Sequence, residues 1–255
     1  MRYFLEVSYK GTRYAGFQVQ KNANTIQGEI EKALAIILKV RVELTGASRT
    51  DAGVHARQNF FHFDISQNFD TRAVYNINAL LPTDIVVKAI TPVDPDIHCR
   101  FTATSREYNY YITSQKDPFN NDTSWFYPYA IDIDLLNQAA SMLFSVSDFT
   151  SFSKRNTQVF THDCAITKSN WTLEENKLIY NVASNRFLRG MVRGLVGTML
   201  LVGRKKINST TFQNIINSKD CTKANFATPA HGLFLEKVSY PPNVFNVAIN
   251  PFVFE

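Results

Sequence analysis

Thr45-Gly46-Ala47-Ser48-Arg49-Thr50-Asp51-Ala52-Gly53-Val54-His55-Ala56 is the stretch on which the reading of this chain turns. Arg49 stands two residues before its single carboxylate and Gly53 two residues after it. A phenylalanine-rich run, Asn59 to Ile65, follows at once. An aspartate in a turn ordinarily caps a helix or closes an Asx-turn. Here a cation before it, a turn glycine after it and a strand beyond describe a reactive Asp presented on a tight turn that feeds a sheet. Gly53 is expected at positive φ, the conformation that glycine adopts without steric cost.

Moving toward the N-terminus, residues 2–9 alternate, with Tyr3, Leu5, Val7 and Tyr9 on one face, and read as a strand. Lys10-Gly11-Thr12 supplies a turn, and the loop Tyr14-Ala15-Gly16-Phe17-Gln18-Val19-Gln20 follows. Asn24 reads as a helix N-cap, with Gln27 at the third helical position. Ile26, Ile30, Ala33, Leu34, Ile37 and Leu38 recur at helical spacing, so residues 25–39 are expected as an amphipathic helix that covers a sheet. Strands are expected around 41–47, over 59–65 and from Asp84 to Ile90, and a second helix over 71–81, ended by Pro82. The first half thus reads β-α-β-β-α-β, the ferredoxin-like or split βαβ pattern.

The second half repeats that order. Arg106 to Ile112 reads as a strand and 134–144 as a helix. Ala165–Leu173 and Leu178–Ala183 read as a hairpin, Arg186–Val202 as a helix closed by Gly203, and Leu233–Val238 as a last strand. Residues 113–130, polar and aromatic without period, read as a long connecting loop. The expected fold is α+β. Residues 1–103 and 104–255 form two ferredoxin-like or RRM-like halves, a pseudo-duplication with a central cleft.

Composition bounds the function. At 255 residues the chain buries a substantial core, and its apolar content of 45% is ordinary for a globular protein. No apolar run is long enough to span a bilayer, and the N-terminus reads as a strand rather than a signal peptide, so the expected location is cytoplasmic. Cys99, Cys164 and Cys221 lie far apart, with no metal-ligand spacing and no disulfide framework. A net charge of +5 is a mild basic bias, concentrated in part at Arg186, Arg189 and Arg193 and at Arg204-Lys205-Lys206. No phosphate-binding P-loop and no dinucleotide fingerprint occurs.

The string Arg49-Thr50-Asp51-Ala52-Gly53-Val54-His55 resembles, almost letter for letter, the RTDAGVH signature of the TruA family of tRNA pseudouridine synthases. Tyr14-Ala15-Gly16-Phe17-Gln18 resembles the family's YxGWQ loop, with Phe17 where Trp is usual. Arg106-Glu107-Tyr108-Asn109-Tyr110 resembles its RxYxY strand. Phe187 to Arg193 resembles its FLxxMVR helix, with Gly190 inside that run. Asp148-Phe149-Thr150-Ser151-Phe152 is a further family-like string, and the resemblance runs from residue 3 to about 240. It implies an isomerase that converts uridine to pseudouridine at positions 38, 39 and 40 of the tRNA anticodon stem-loop, without metal or other cofactor, as a homodimer. It implies Asp51 as the catalytic nucleophile, Tyr108 in the active site and Arg193 as the partner of Asp51. Arg49 would contact phosphate or hold the extruded nucleotide.

The chemistry agrees with that assignment. Moving the glycosidic bond of uridine from N1 to C5 is neither redox nor hydrolysis, so it calls for an ionised carboxylate rather than a metal or flavin. Burial raises the pKa of an Asp, and an adjacent guanidinium lowers it by roughly 1–3 units. A fixed cation is therefore required; Arg193 is the candidate and Arg49 its competitor. Tyr108 offers a flat ring on which a detached uracil can stack; a phenol with a pKa near ~10 is a poor base at neutral pH. Arg186, Arg189 and Arg193 are spaced to share one helical face, as RNA-phosphate contacts or as a solvated face. His55 reads as turn support, because the reaction needs no imidazole. The alternatives are a synthase acting at other tRNA positions, a non-catalytic RNA-binding protein on the same scaffold, and a metal-free hydrolase using Asp51. The RNA-binding alternative lacks the aromatic strings of RRM sheets, and the hydrolase lacks a second carboxylate or His pair.

Overall fold

The structure, a computed structural model, describes residues 1–66, 69–155 and 159–245. Among these residues are nine strands and five α-helices, an α+β composition. The chain forms two compact units: Met1–Thr104 with the segment beginning at Lys237, and Ser105–Glu236. The sequence places a single division after residue 103. The structure breaks the chain after Thr104 and again within the last strand. Residues 246–255 of the expected second half lie outside the described residues.

In the first unit β1 (Arg2–Tyr9) is central, antiparallel to β3 (His55–Asp64) on one side and β4 (Ile85–Val93) on the other. Tyr3, Leu5, Val7 and Tyr9 are buried as the alternation predicts, and Phe4 on the opposite face is buried too. The β1–β3 register slips by one residue between Val7 and Tyr9. Val7 lies opposite Asn59, whereas Tyr9 lies opposite Ala56. Such a bulge re-aims side chains locally. The helix α1 (Ile26–Leu38) buries Ile26, Ile30, Ala33, Leu34 and Leu38. Each of the Ile and Leu side chains contributes about 1.5–3 kcal/mol against chain entropy when fully buried. Its N-cap is Thr25, not Asn24: Thr25 is extended, and its hydroxyl accepts from Gly28 N. The strand expected over 41–47 shrinks to β2 (Thr45–Gly46), where only two residues pair with β3. A single 3-10 turn leads into α2 (Val74–Leu80), tied to β4 by paired Asn78–Val87 hydrogen bonds.

In the second unit β8 (Lys177–Ser184) pairs antiparallel with both β5 (Ser105–Thr113) and β7 (Ile166–Glu174). The β7–β8 hairpin turns at Glu175, whose φ is 52°. The 113–130 loop contains β6 (Trp125–Phe126), parallel to the end of β5. Then come α3 (Ile133–Met142), α4 (Met191–Gly203) and α5 (Ser209–Asn217); β9 (Leu233–Ser239) spans the division. α4 is almost wholly buried and glycine-tight. A Cβ at Gly197 would meet the Asn225 carbonyl oxygen at 2.2 Å.

The expected helix from Arg186 is corrected. Residues 186–188 are coil, Arg189–Gly190 form a turn, and α4 begins at Met191. The reason is local. Gly190 is the N-cap at φ 74°, a conformation that ends a helix backwards, and Met191 N donates to Leu188 O instead. Arg186, Arg189 and Arg193 therefore do not share one helical face. Gly190, inside the FLxxMVR-like run, starts the helix.

Candidate active site

Asp51 opens a four-residue turn closed by Val54 N donating to the Asp51 carbonyl at 3.2 Å. Gly53 sits at φ 77°, as the sequence requires. The carboxylate-bearing residue is half-buried and Arg49 is exposed. The peptide ahead of Asp51 is held from several sides. Phe17 N donates to Thr50 O (3.1 Å), and the Thr50 hydroxyl pairs with the Tyr9 hydroxyl at 2.8 Å. Asn59 Nδ2 reaches both Tyr9 Oη (3.1 Å) and Ser48 O (2.9 Å). Gly16, at φ 113°, packs its Cα against this peptide; a Cβ there would lie 3.2 Å from Thr50 O and 3.3 Å from Ala52 N. Ser48 Oγ is buried without a protein partner.

The Tyr14–Gln18 motif is the other half of this scaffold. Gly16 O and Phe17 O accept the N–H groups of Ile26 and Gln27, satisfying orphan donors at the start of α1. Tyr14 Oη donates to Asp84 (2.6 Å), which also pairs with Arg13 (2.7 Å). Burial, joined by the Asp84 contact, pushes the Tyr14 phenol far above its ordinary value. Phe17 is 1% exposed and stacks on Phe61 with centroids 4.3 Å apart. Its ring occupies the space a Cβ on Gly46 would need, so Phe in place of Trp is a packing feature. His55 is buried, and its Nδ1 accepts Gly11 N at 3.1 Å, in keeping with turn support.

In the second unit Tyr108 is half-buried on β5, its ring edge-on to Phe187 with centroids 5.1 Å apart. That contact brings β5 and the Asn185–Arg193 segment together. Tyr110 is fully buried and donates to Pro229 O (2.8 Å). Burial drives its phenol pKa far up, with the positive charge of Arg193 pulling the other way. Arg193 lies in the first turn of α4, half-buried, its Nε donating to Thr228 O at 2.7 Å. The Thr228 hydroxyl donates back to Arg193 O at 2.9 Å. A cation at a helix N-terminus opposes the macrodipole, at a cost of about 0.3–1 kcal/mol. Such a placement points to a task other than stability. Arg186 reaches Thr161 (3.3 Å), and Arg189 is exposed.

Two residues of the basic run at 204–206 are already engaged: the Arg204 guanidinium lies 3.8 Å from the Tyr129 ring centroid, and Lys205 pairs with Asp132 at 3.2 Å. The Asp148–Phe152 string is structural. Asp148 accepts from Thr150 N and Oγ1, Phe149 and Phe152 are buried, and Ser151 Oγ donates to Ile215 O.

One cluster has no counterpart in the sequence reading: His62, His98 and Cys99 carry side-chain donor atoms all within 4.8 Å of one another. His62 Nδ1 accepts Cys99 N, and His98 Nδ1 accepts Arg100 N. A neutral imidazole bonded in that way carries its proton on Nε2 and offers no second lone pair. Desolvation and the charge of Arg2 push the His62 pKa down to about 4, so its ring stays neutral near pH 7. The tautomers fit a packed polar knot, not a ligand set for a cation.

Two α+β units, one presenting a clamped aspartate on a turn and the other an arginine at a helix start, are the features the motifs describe. A family profile described as tRNA pseudouridine synthase matches residues 6–102 and 139–241. The chain belongs to this family, whose members are isomerases. Among similar proteins, the tRNA pseudouridine synthase A of Parabacteroides distasonis is 44% identical over 248 residues, covering 96% of this chain and 98% of its own length. That of Porphyromonas gingivalis is 42% identical over 249 residues, covering 96% and 99%. The Staphylococcus aureus (strain MRSA252) protein of the same name is 36% identical over 246 residues, covering 95% and 93%.

Proposed function

We propose that this protein isomerises uridine to pseudouridine in tRNA, at positions 38, 39 and 40 of the anticodon stem-loop, with Asp51 as nucleophile. The observation that carries the reading is the RTDAGVH string folded as a tight turn with Asp51 at its head, in a chain that belongs to this family. The C1′–N1 bond of uridine breaks, the uracil turns, and C5 bonds to C1′; the C5 proton leaves and N1 takes one up. Electrons balance within the substrate, so no cofactor is called on. Asp51 acts as the carboxylate. Arg193 is its charge partner. Tyr108 stacks on the turning base. Arg49 offsets the few kcal/mol needed to extrude a nucleotide, and its planar fork suits phosphate. Arg186 and Arg189 contact the RNA backbone.

The two units are read as a pseudo-duplication, on their parallel order of elements. The protein is read as a cytoplasmic homodimer, on family resemblance. Among the described residues no helix is long and apolar enough to cross a membrane. The test is incubation of the purified protein with unmodified tRNA transcripts carrying 5-tritiated uridine, followed by mapping. Tritium release with pseudouridine at 38–40 is expected. Release with product elsewhere would reassign the positions, and no release would overturn the activity.

A further inference from the structure

The least expected residue in β3 is Asn59. It precedes Phe60, Phe61 and Phe63 on the strand, it is 0% exposed, and it lies opposite Val7, on the core-facing side of β1. A buried amide is costly unless every group is bonded. Asn59 meets that condition: Oδ1 accepts Phe60 N at 2.9 Å, and Nδ2 bridges Tyr9 Oη and Ser48 O. Tyr9 (5% exposed) then meets Thr50 (7% exposed) through their hydroxyls. The chain of bonds grips residues 48 and 50, on both sides of Arg49, and ends one residue short of Asp51. The one-residue bulge between Val7 and Tyr9 falls at this end of β1. Apolar side chains of similar volume would fill a core as well and leave no polar group to satisfy. What the polar set adds is a fixed direction for the peptide that carries the carboxylate.

We propose that Tyr9, Thr50 and Asn59 are positioning residues that hold Asp51 in its reactive orientation. The inference rests on Asp51 being the nucleophile. Tyr9→Phe removes one oxygen, and Thr50→Val replaces a hydroxyl with a methyl; the two are read independently, at 25 °C, with tRNA as substrate. Each lowers kcat at least about tenfold and shifts KM less than about twofold, because an ill-aimed nucleophile loses rate rather than binding. Thr50→Ser, which keeps the hydroxyl, retains at least about a third of the parent kcat. The Tyr9→Phe/Thr50→Val double variant is no more than about threefold worse than the poorer single one, since both break one chain of bonds. A merely structural network would lower Tm and leave kcat at 25 °C unchanged. Parent-like kcat in both single variants, with Asp51→Asn inactive, overturns the clamp alone. Turnover by Asp51→Asn overturns the nucleophile reading and the clamp's catalytic meaning with it.

Discussion

The Asp51 turn and the first turn of α4 present their key side chains by opposite means. Asp51 stands on a loop whose direction is set by polar bonds: Tyr9–Thr50, Asn59–Ser48, Phe17–Thr50 and Gly11–His55. Arg193 stands on a buried helix whose place is set by shape, with Gly194 and Gly197 packed against Phe226, Asn225 and Thr228. The reciprocal Arg193–Thr228 pair of bonds, and bonds from Asn225 to the Thr198 hydroxyl and the Gly197 carbonyl, add polar guidance there. A carboxylate that must act as a nucleophile needs its angle fixed. A guanidinium, broad and permanently charged, needs mainly to be in place. Disturbing the loop therefore costs rate before stability, and disturbing the helix packing costs stability before rate.

Removing the charge from the helix start is the largest expected break in this contrast. Arg193→Leu keeps the apolar stem, and kcat is expected to fall a hundred- to thousandfold, about 3–4 kcal/mol, while Tm changes little. Parent-like turnover would remove Arg193 from the chemistry. Gly197→Ala sharpens the contrast by striking packing alone. With backbone 2.2 Å from the new Cβ, destabilisation of about 3 kcal/mol is expected. Thermal unfolding checks it, and an unchanged Tm would contradict the view of α4 as a shape-fixed platform.

The smallest effect lies outside both regions. Burial alone would raise the Asp148 pKa, but hydrogen bonds from Lys219 and Thr150 outweigh it and hold the value at about 2. A folded pKa below the unfolded one contributes stability that is present above the ordinary carboxylate range and is lost as pH falls toward about 2. The Tm gap between parent and Asp148→Asn should be open at pH 6 and closed near pH 2. A gap independent of pH would show that this carboxylate's charge does not matter.

Periodicity made β1, α1, the β7–β8 hairpin and the turn glycine at 53 readable, because each is specified by residues close in sequence. Non-local pairing hid the rest. The alternation at Arg41–Leu44 reads as strand, yet only Thr45 and Gly46 find partners on β3. α5 escaped notice because Ser209-Thr210-Thr211 masks a short apolar stripe of Phe212, Ile215 and Ile216. The helical spacing of Arg186 to Val202 runs straight through Gly190, and only the positive φ of that glycine, 74°, starts α4 at Met191. Of the site, Asp51 and its turn were legible as letters. The Tyr9–Thr50–Asn59 chain was not, since it joins residues some forty to fifty positions apart in sequence.

The account stands on Asp51 as the reacting carboxylate. The most direct test is tritium release from 5-tritiated uridine in tRNA by Asp51→Asn, measured beside its tRNA affinity and its Tm. Loss of release to background, with affinity and Tm close to the parent, is the predicted result. Turnover at a rate comparable to the parent would contradict it.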